Sequence, residues 1–184
     1  MLTHRRVDAP QALFLVGQAE RLPFSSGAFD LMAASGSLNY AYVELFLPEA
    51  VRVLAPGGSL LIYDFSVGRR VRGDHQLDEW FTTFVRRYSS PPGYALDVRG
   101  LAYRRSGLRL QTYEELEIAV PMTLRTYGRY VLSTTRVEWT ISRGVAETER
   151  RAWCQSTLAD VFGSQSCDVL FEAYVAYVSR DGSV

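Results

Sequence analysis

The side chains able to do chemistry in this 184-residue chain are few and scattered. Its two cysteines, Cys154 and Cys167, stand too far apart for a C-x-x-C pair, and two histidines, His4 and His75, cannot complete a zinc pattern. The cysteines therefore read as structural thiols, and no metal is expected. No G-x-S-x-G elbow accompanies either histidine, so a Ser/His/Asp hydrolase is unsupported. Neither a G-x-G-x-x-G turn nor a P-loop occurs. Pro56-Gly57-Gly58 precedes an apolar run instead of opening a helix, so its amides have no helix N-terminus behind them and the triplet reads as a turn. Polar residues follow the apolar runs at Gly17-Gln18-Ala19-Glu20, at Ser35-Gly36-Ser37-Leu38-Asn39-Tyr40 and at Asp64 and Ser66, and His75 lies further along; taken alone they read as loops and solvated surface.

Three short apolar runs must position them. Ala12-Leu13-Phe14-Leu15-Val16 is too short for a helix and is ended by Gly17, so it reads as a buried strand. Phe29-Asp30-Leu31-Met32-Ala33-Ala34 reads as a second strand and Ser59-Leu60-Leu61-Ile62-Tyr63-Asp64-Phe65 as a third, both apolar on two faces as in a sheet covered by helices. Between them Pro48-Glu49-Ala50-Val51-Arg52-Val53-Leu54 reads as a short helix with Pro48 in its first turn. The two candidate loops and Asp64 then follow strand C-termini, the edge at which open α/β sheets take ligands.

The later chain opens with an Arg- and Gly-rich loop at 67–73. Leu77, Trp80, Phe81, Phe84, Val85 and Tyr88 then fall on one face of a helix that Ser89-Ser90-Pro91-Pro92-Gly93 should end. A helical aromatic stripe of this kind is read as core in preference to a lid. Leu116, Ile118 and Val120 alternate with polar residues, which predicts an edge strand with one solvated face. Helices are expected near 126–135 and 147–162, the second with Cys154, Leu158, Val161 and Phe162 on one face and Gly163 as its stop. The last strand, at 169–178, is apolar on both faces and should be central.

With 47% hydrophobic and 22% charged residues, the chain is expected to form one globular domain. Twenty basic and twenty acidic residues leave no net charge, which argues against nucleic acid or an anionic membrane as partner. No apolar run approaches the roughly 18 residues of a membrane span, and the segment from Met1 to Pro10 lacks a signal-peptide core. A cytoplasmic location is expected.

Three pieces recur in a telling order: Gly17-Gln18-Ala19-Glu20-Arg21-Leu22-Pro23-Phe24, then Gly27-Ala28-Phe29-Asp30-Leu31, then Glu49-Ala50-Val51-Arg52-Val53-Leu54-Ala55-Pro56-Gly57-Gly58-Ser59-Leu60-Leu61. Together they resemble the class I S-adenosylmethionine-dependent methyltransferases, in particular the bacterial enzymes that act on small molecules. The resemblance implies an α/β, Rossmann-like methyltransferase sheet whose parallel strands are closed by a C-terminal antiparallel pair. It covers 1–184 as a single methyltransferase-like domain, with 66–112 as the substrate or lid segment. It implies S-adenosylmethionine as cofactor and a small-molecule acceptor. Gln18, Ala19 and Glu20 would form the adenine wall, with Gln18 where the family usually has Asp. Ser35, Gly36, Ser37 and Tyr40 would face the cofactor, the Tyr40 ring toward the sulfonium, and Asp64 and His75 are the candidates for a general base.

The family's glycine-rich turn and ribose carboxylate have no counterpart in this sequence, which predicts an N-terminally truncated sheet. The Leu13 strand would then pair in parallel beside the Leu31 strand, the compact arrangement, or stay exposed. Cofactor affinity should be weak, and the uncovered surface should favour a homo-oligomer or a partner chain completing the sheet. The alternative is a catalytically inactive methyltransferase-like binding or subunit protein. A different α/β enzyme sharing the half-sheet by analogy ranks last.

Overall fold

The structure, a computed structural model, describes residues 11–88, 96–134, 144 and 146–181. The expectations at 1–10 and at the helix stop 89–93 lie outside the described residues. The strands are β1 (Phe29–Ser35), β2 (Leu54–Phe65), β3 (Arg70–Val71), β4 (Leu108–Met122) and β5 (Cys167–Arg180). The helices are α1 (Val43–Val53), α2 (Gln76–Arg87), α3 (Leu124–Leu132) and α4 (Glu147–Phe162). The strand order is β1-β2-β5-β3, and β4 also pairs with β5, so the last strand takes the central place its two apolar faces predict. The chain forms two compact units, one of Met1–Ile62, Leu96–Thr112 and Ala176–Val184, the other of Tyr63–Ala95 and Tyr113–Val175.

In the first unit the carbonyls of Phe29 and Asp30 lie beside Gly58, so β1 and β2 set out side by side, joined by the helical crossover that parallel neighbours need. β5 runs the other way. Ser59 Oγ meets Tyr177 Oη at 2.6 Å, while the Arg180 guanidinium bonds the Leu54 carbonyl further back along β2. β4 is antiparallel to β5 in turn, with Asp181 N–H on the Gly107 carbonyl at 3.0 Å and Gln111 on Ser179 at 2.6 Å. This is the antiparallel pair expected at the C-terminus.

Two expectations in this unit are corrected. Helix α1 begins at Val43, not Pro48, and buries Phe46, Leu47, Ala50 and Val53 on one face. The apolar stripe wins because Pro48 lies on the exposed side beside Glu44, where water can serve the carbonyl that lacks a proline N–H. The run from Ala12 to Val16 is not a strand: Leu13 is 81% and Val16 83% exposed. Backbone in a strand needs a neighbour, and among the described residues β1 pairs only with β2, so the expected parallel pairing beside the Leu31 strand does not form.

The second unit is built on aromatics. Leu77, Trp80 and Phe84 of α2, Tyr127 and Val131 of α3, and Cys154, Leu158 and Phe162 of α4 form one buried cluster with Val169 and Phe171. Trp80 stacks on Phe84 at 5.2 Å and on Trp153 at 5.7 Å, and its Nε1–H donates to Thr157 Oγ1 at 2.7 Å. The α2 stripe is thus core. Tyr127 Oη donates to the Gly68 carbonyl at 2.7 Å, and burial raises the Tyr127 phenol well above its ordinary value. Burial likewise pushes the Cys154 thiol up to about 11, so it is an inert structural thiol.

Local signals explain the boundaries. A capping box between Thr123 and Thr126 starts α3 at Leu124, two residues before the expected start, and Gly163 at φ +55 ends α4. Within the expected 67–73 loop, β3 pairs antiparallel with β5, Arg70 opposite Leu170. The solvated face predicted for β4 is present, but Leu116 and Ile118 on the other face are also 44% and 45% exposed, because alternation buries nothing unless a layer packs on it. No helix among the described residues is long and apolar enough to cross a membrane.

Candidate functional site

The first unit gathers the early motifs around α1. Arg21 N–H closes on the Gln18 carbonyl at 3.1 Å, leaving Gln18 exposed and Ala19 and Glu20 half-buried. Glu49 and Arg52, three apart on the helix, grip the backbone that follows. Leu22 N–H donates to Glu49 Oε1 at 2.6 Å, and Arg52 donates to the carbonyls of Phe24 at 2.6 Å and Leu22 at 3.0 Å. The two side chains also bond each other at 2.7 and 2.8 Å. The hydrogen bond from Arg52 is the main cause holding the Glu49 carboxyl below its ordinary range.

A second link reaches the other end of the helix. Glu20 Oε1 accepts the N–H of Tyr42, the residue capping α1, at 2.7 Å. Anionic oxygen at a helix N-terminus is doubly favoured, by the unpaired amide and by the dipole. This bond brings the 18–20 turn beside the segment that follows the second candidate loop. In that loop Gly36 adopts φ +53, Leu38 is buried as an anchor, and Tyr40 is 78% exposed. An open groove of about 510 Å³ runs past Ala19, Leu22, Phe24 and Leu15.

The Pro56-Gly57-Gly58 turn has a specific cause. Gly57 sits at φ +77, and a Cβ on Gly58 would come within 2.9 Å of the Ala55 carbonyl and 3.2 Å of those of Phe29 and Asp30. The glycines therefore permit close backbone approach at the start of β2.

In the second unit Asp64 accepts the N–H of Phe65 at 2.8 Å, and Ser66 bonds β5 through both its N–H and its hydroxyl at Glu172. Burial first, then the charge of Asp64 and the neighbouring Tyr113, raise the Tyr174 phenol, whose ring stacks on Tyr113 at 5.6 Å. His75 is exposed at the start of α2 with no side-chain capping bond. Glu49 and Arg52 carry only their i, i+3 spacing as a signal in the sequence, which marks a helix pair and not its grip on residues 22–24. The pairing of Tyr113 with Tyr174 depends on strand register and left no local mark.

The donor set of the first unit, a neutral amide at Gln18, hydroxyls at Ser35 and Ser37 and the bare ring of Tyr40, fits an adenine edge and a sulfonium charge. Glu20 is already engaged at the helix start, so it fits as a positioning residue. The fold is a mixed α/β, Rossmann-like sheet of the kind found in methyltransferases. A protein from Anaeromyxobacter dehalogenans assigned as a type II methyltransferase superposes with a TM-score of 0.68 at 18% identity, over 95% of this chain and 74% of that one.

Residues 1–62 match the methyltransferase domain family. Over 133 residues the chain is 39% identical to phthiotriol/phenolphthiotriol dimycocerosates methyltransferase 1 of Mycobacterium ulcerans, covering 70% of this chain and 47% of that protein. Over 104 residues it is 32% identical to the ubiquinone/menaquinone biosynthesis C-methyltransferase UbiE of Methylobacterium nodulans, covering 45% and 41%. In sequence and fold the chain is similar to the class I S-adenosylmethionine-dependent methyltransferases, and it spans about half the length of the curated relatives it matches.

Proposed function

We propose that this chain carries part of the machinery for methyl transfer from S-adenosylmethionine to a small-molecule acceptor. The observation that supports this most directly is the Glu20 to Tyr42 bond, which draws the two candidate ligand loops together at the start of α1. In this reading the Gln18 side chain hydrogen-bonds the adenine edge, and Ala19 and Leu22 offer the apolar wall beneath it. Tyr40 turns its exposed ring to the sulfonium, while Glu20 holds the turn in place. The cofactor supplies an already activated methyl group, so the protein contributes alignment and exclusion of water. An acceptor of high pKa also needs a proton acceptor, and Asp64 and His75 are assigned as candidates for that role. The 66–112 segment is assigned to acceptor recognition, through its parts outside the α2 core stripe.

A second reading is a binding or subunit protein without turnover: His75 lies exposed at the start of α2 and makes no side-chain capping bond there. Calorimetric titration with S-adenosylmethionine and a turnover assay with its methyl-labelled form separate the two. Under the first reading the Gln18→Ala/Tyr40→Ala double variant should bind about tenfold more weakly, the combined effect of one hydrogen bond and one cation–π contact. Binding equal to that of the unaltered chain overturns the assigned site. Binding without turnover on any acceptor selects the second reading.

A further inference from the structure

The second unit contains a half-open cavity of about 550 Å³ between α3 and α4 that none of the residues assigned to methyl transfer lines. Three arginines line it: Arg125 and Arg129, one turn apart on α3, and Arg151 on α4. Arg151 is matched by Glu147 at 2.8 Å, whereas Arg125 and Arg129 have no ion-pair partner among the described residues. Helix α3 contains no acidic residue at all. Arg125 also sits in the first turn of α3, where the helix dipole disfavours a cation, so helix stability alone does not account for its placement.

The rest of the wall is not a salt-rich surface. Leu124 and Leu132 supply apolar area, and Gln155 a neutral hydrogen-bonding amide. The space exists partly because Gly128, though buried, carries no side chain: the nearest atom to a Cβ built there is Leu158 Cδ1 at 3.9 Å. Inorganic phosphate would occupy only a small part of the volume.

We propose that this cavity binds an organic phosphate monoester with a small apolar body. Two uncompensated guanidiniums match a dianion, which a monoester is at neutral pH because its second pKa is about 6. Guanidinium forks suit phosphate oxygens, and the leucines cover the organic part.

The test is calorimetric titration of the full chain with phenyl phosphate at pH 7.5, beside phenol and inorganic phosphate. One saturable site is expected for phenyl phosphate, at least tenfold tighter than for inorganic phosphate and absent for phenol. Both arginines are exposed, so Arg125→Gln/Arg129→Gln should fold and lose at least tenfold in affinity. Arg86→Gln, an exposed arginine on α2, should change nothing. Gly128→Leu should fill the space and abolish binding without lowering the unfolding temperature. No saturable binding, equal loss in Arg86→Gln, or undiminished binding in either cavity variant would overturn the proposal, and inorganic phosphate binding as tightly as phenyl phosphate would overturn the apolar half of it.

Discussion

The unit around α1 and the unit around α2, α3 and α4 solve the same problem with different chemistry. The first fixes its functional loops by polar grips on backbone, Glu49 and Arg52 on residues 22–24 and Glu20 on Tyr42, and leaves Leu13, Val16, Leu31 and Leu45 exposed. The second buries a continuous aromatic cluster in which Trp80, Phe84, Trp153 and Tyr127 touch ring to ring. Polar grips define geometry with little buried area and so contribute modestly to stability, whereas aromatic burial contributes several kcal/mol per residue and defines no ligand site. The contrast sets the loops proposed to hold the cofactor, fixed by directional bonds, against a helical cluster fixed by burial.

The sharpest way to break that contrast is Trp80→Ala. Trp80 is 7% exposed and loses both stacks and the hydrogen bond to Thr157, so the change should cost about 3–5 kcal/mol, read as a shift of the urea midpoint. A loss below about 1 kcal/mol would show that the aromatic cluster does not carry the stability assigned to it. Among the glycines of the first unit the largest effect should come from Gly58→Ala. Its Cβ would meet backbone carbonyls at 2.9 and 3.2 Å, atoms that cannot swing aside, for a cost of about 1–3 kcal/mol. Gly57→Ala, which is strained by its φ of +77 but meets nothing within 4 Å, should cost less.

Glu49→Gln should come next, at about 1 kcal/mol near neutral pH, since the glutamine keeps a carbonyl for Leu22 but loses the charge-assisted bond to Arg52. Its pH dependence tests the cause. A carboxyl whose folded pKa lies below the unfolded one stabilises the fold above the unfolded value, and that contribution fades as pH falls through the folded value. The difference between the native chain and Glu49→Gln should therefore shrink on acidification below the ordinary carboxylate range. A gap that is constant down to the acid transition would mean the charge has no part in it.

The same contrast explains what could be read from the sequence. The Pro56-Gly57-Gly58 turn was legible because a glycine at positive φ is a local cause, whereas the Glu49–Arg52 pair carries no ligand signature in its i, i+3 spacing and Gly58 against the carbonyls of Phe29 and Asp30 depends on which strands meet. The α2 and α4 faces and the Gly163 stop were legible through helical periodicity and cap chemistry. The start of α1 was missed because a proline rule was set against an apolar stripe, and burial of Phe46 and Leu47 outweighed it. The contact of Gly68 with Phe171 and Val169, and the Arg125 and Arg129 cavity, depend on which segments meet across the sheet and between helices, which no local pattern encodes.

The smallest expected effect concerns the run from Ala12 to Val16, where periodicity predicted burial and the structure leaves Leu13 and Val16 more than four-fifths exposed. Side chains that remain in water contribute no transfer free energy to folding, so Leu13→Ser/Val16→Ser should change stability by no more than about 0.5 kcal/mol. Its consequence should appear in association instead. Exposed leucine and valine beside an edge strand form the kind of surface through which chains pair, so the double variant should scatter less light than the native chain at equal high concentration. A large loss of stability would show that these residues are buried in solution after all and that the strand reading of 12–16 was right. Unchanged stability with unchanged scattering would assign self-association, where it occurs, to the exposed Leu116 and Ile118 of β4 and remove the first unit from it.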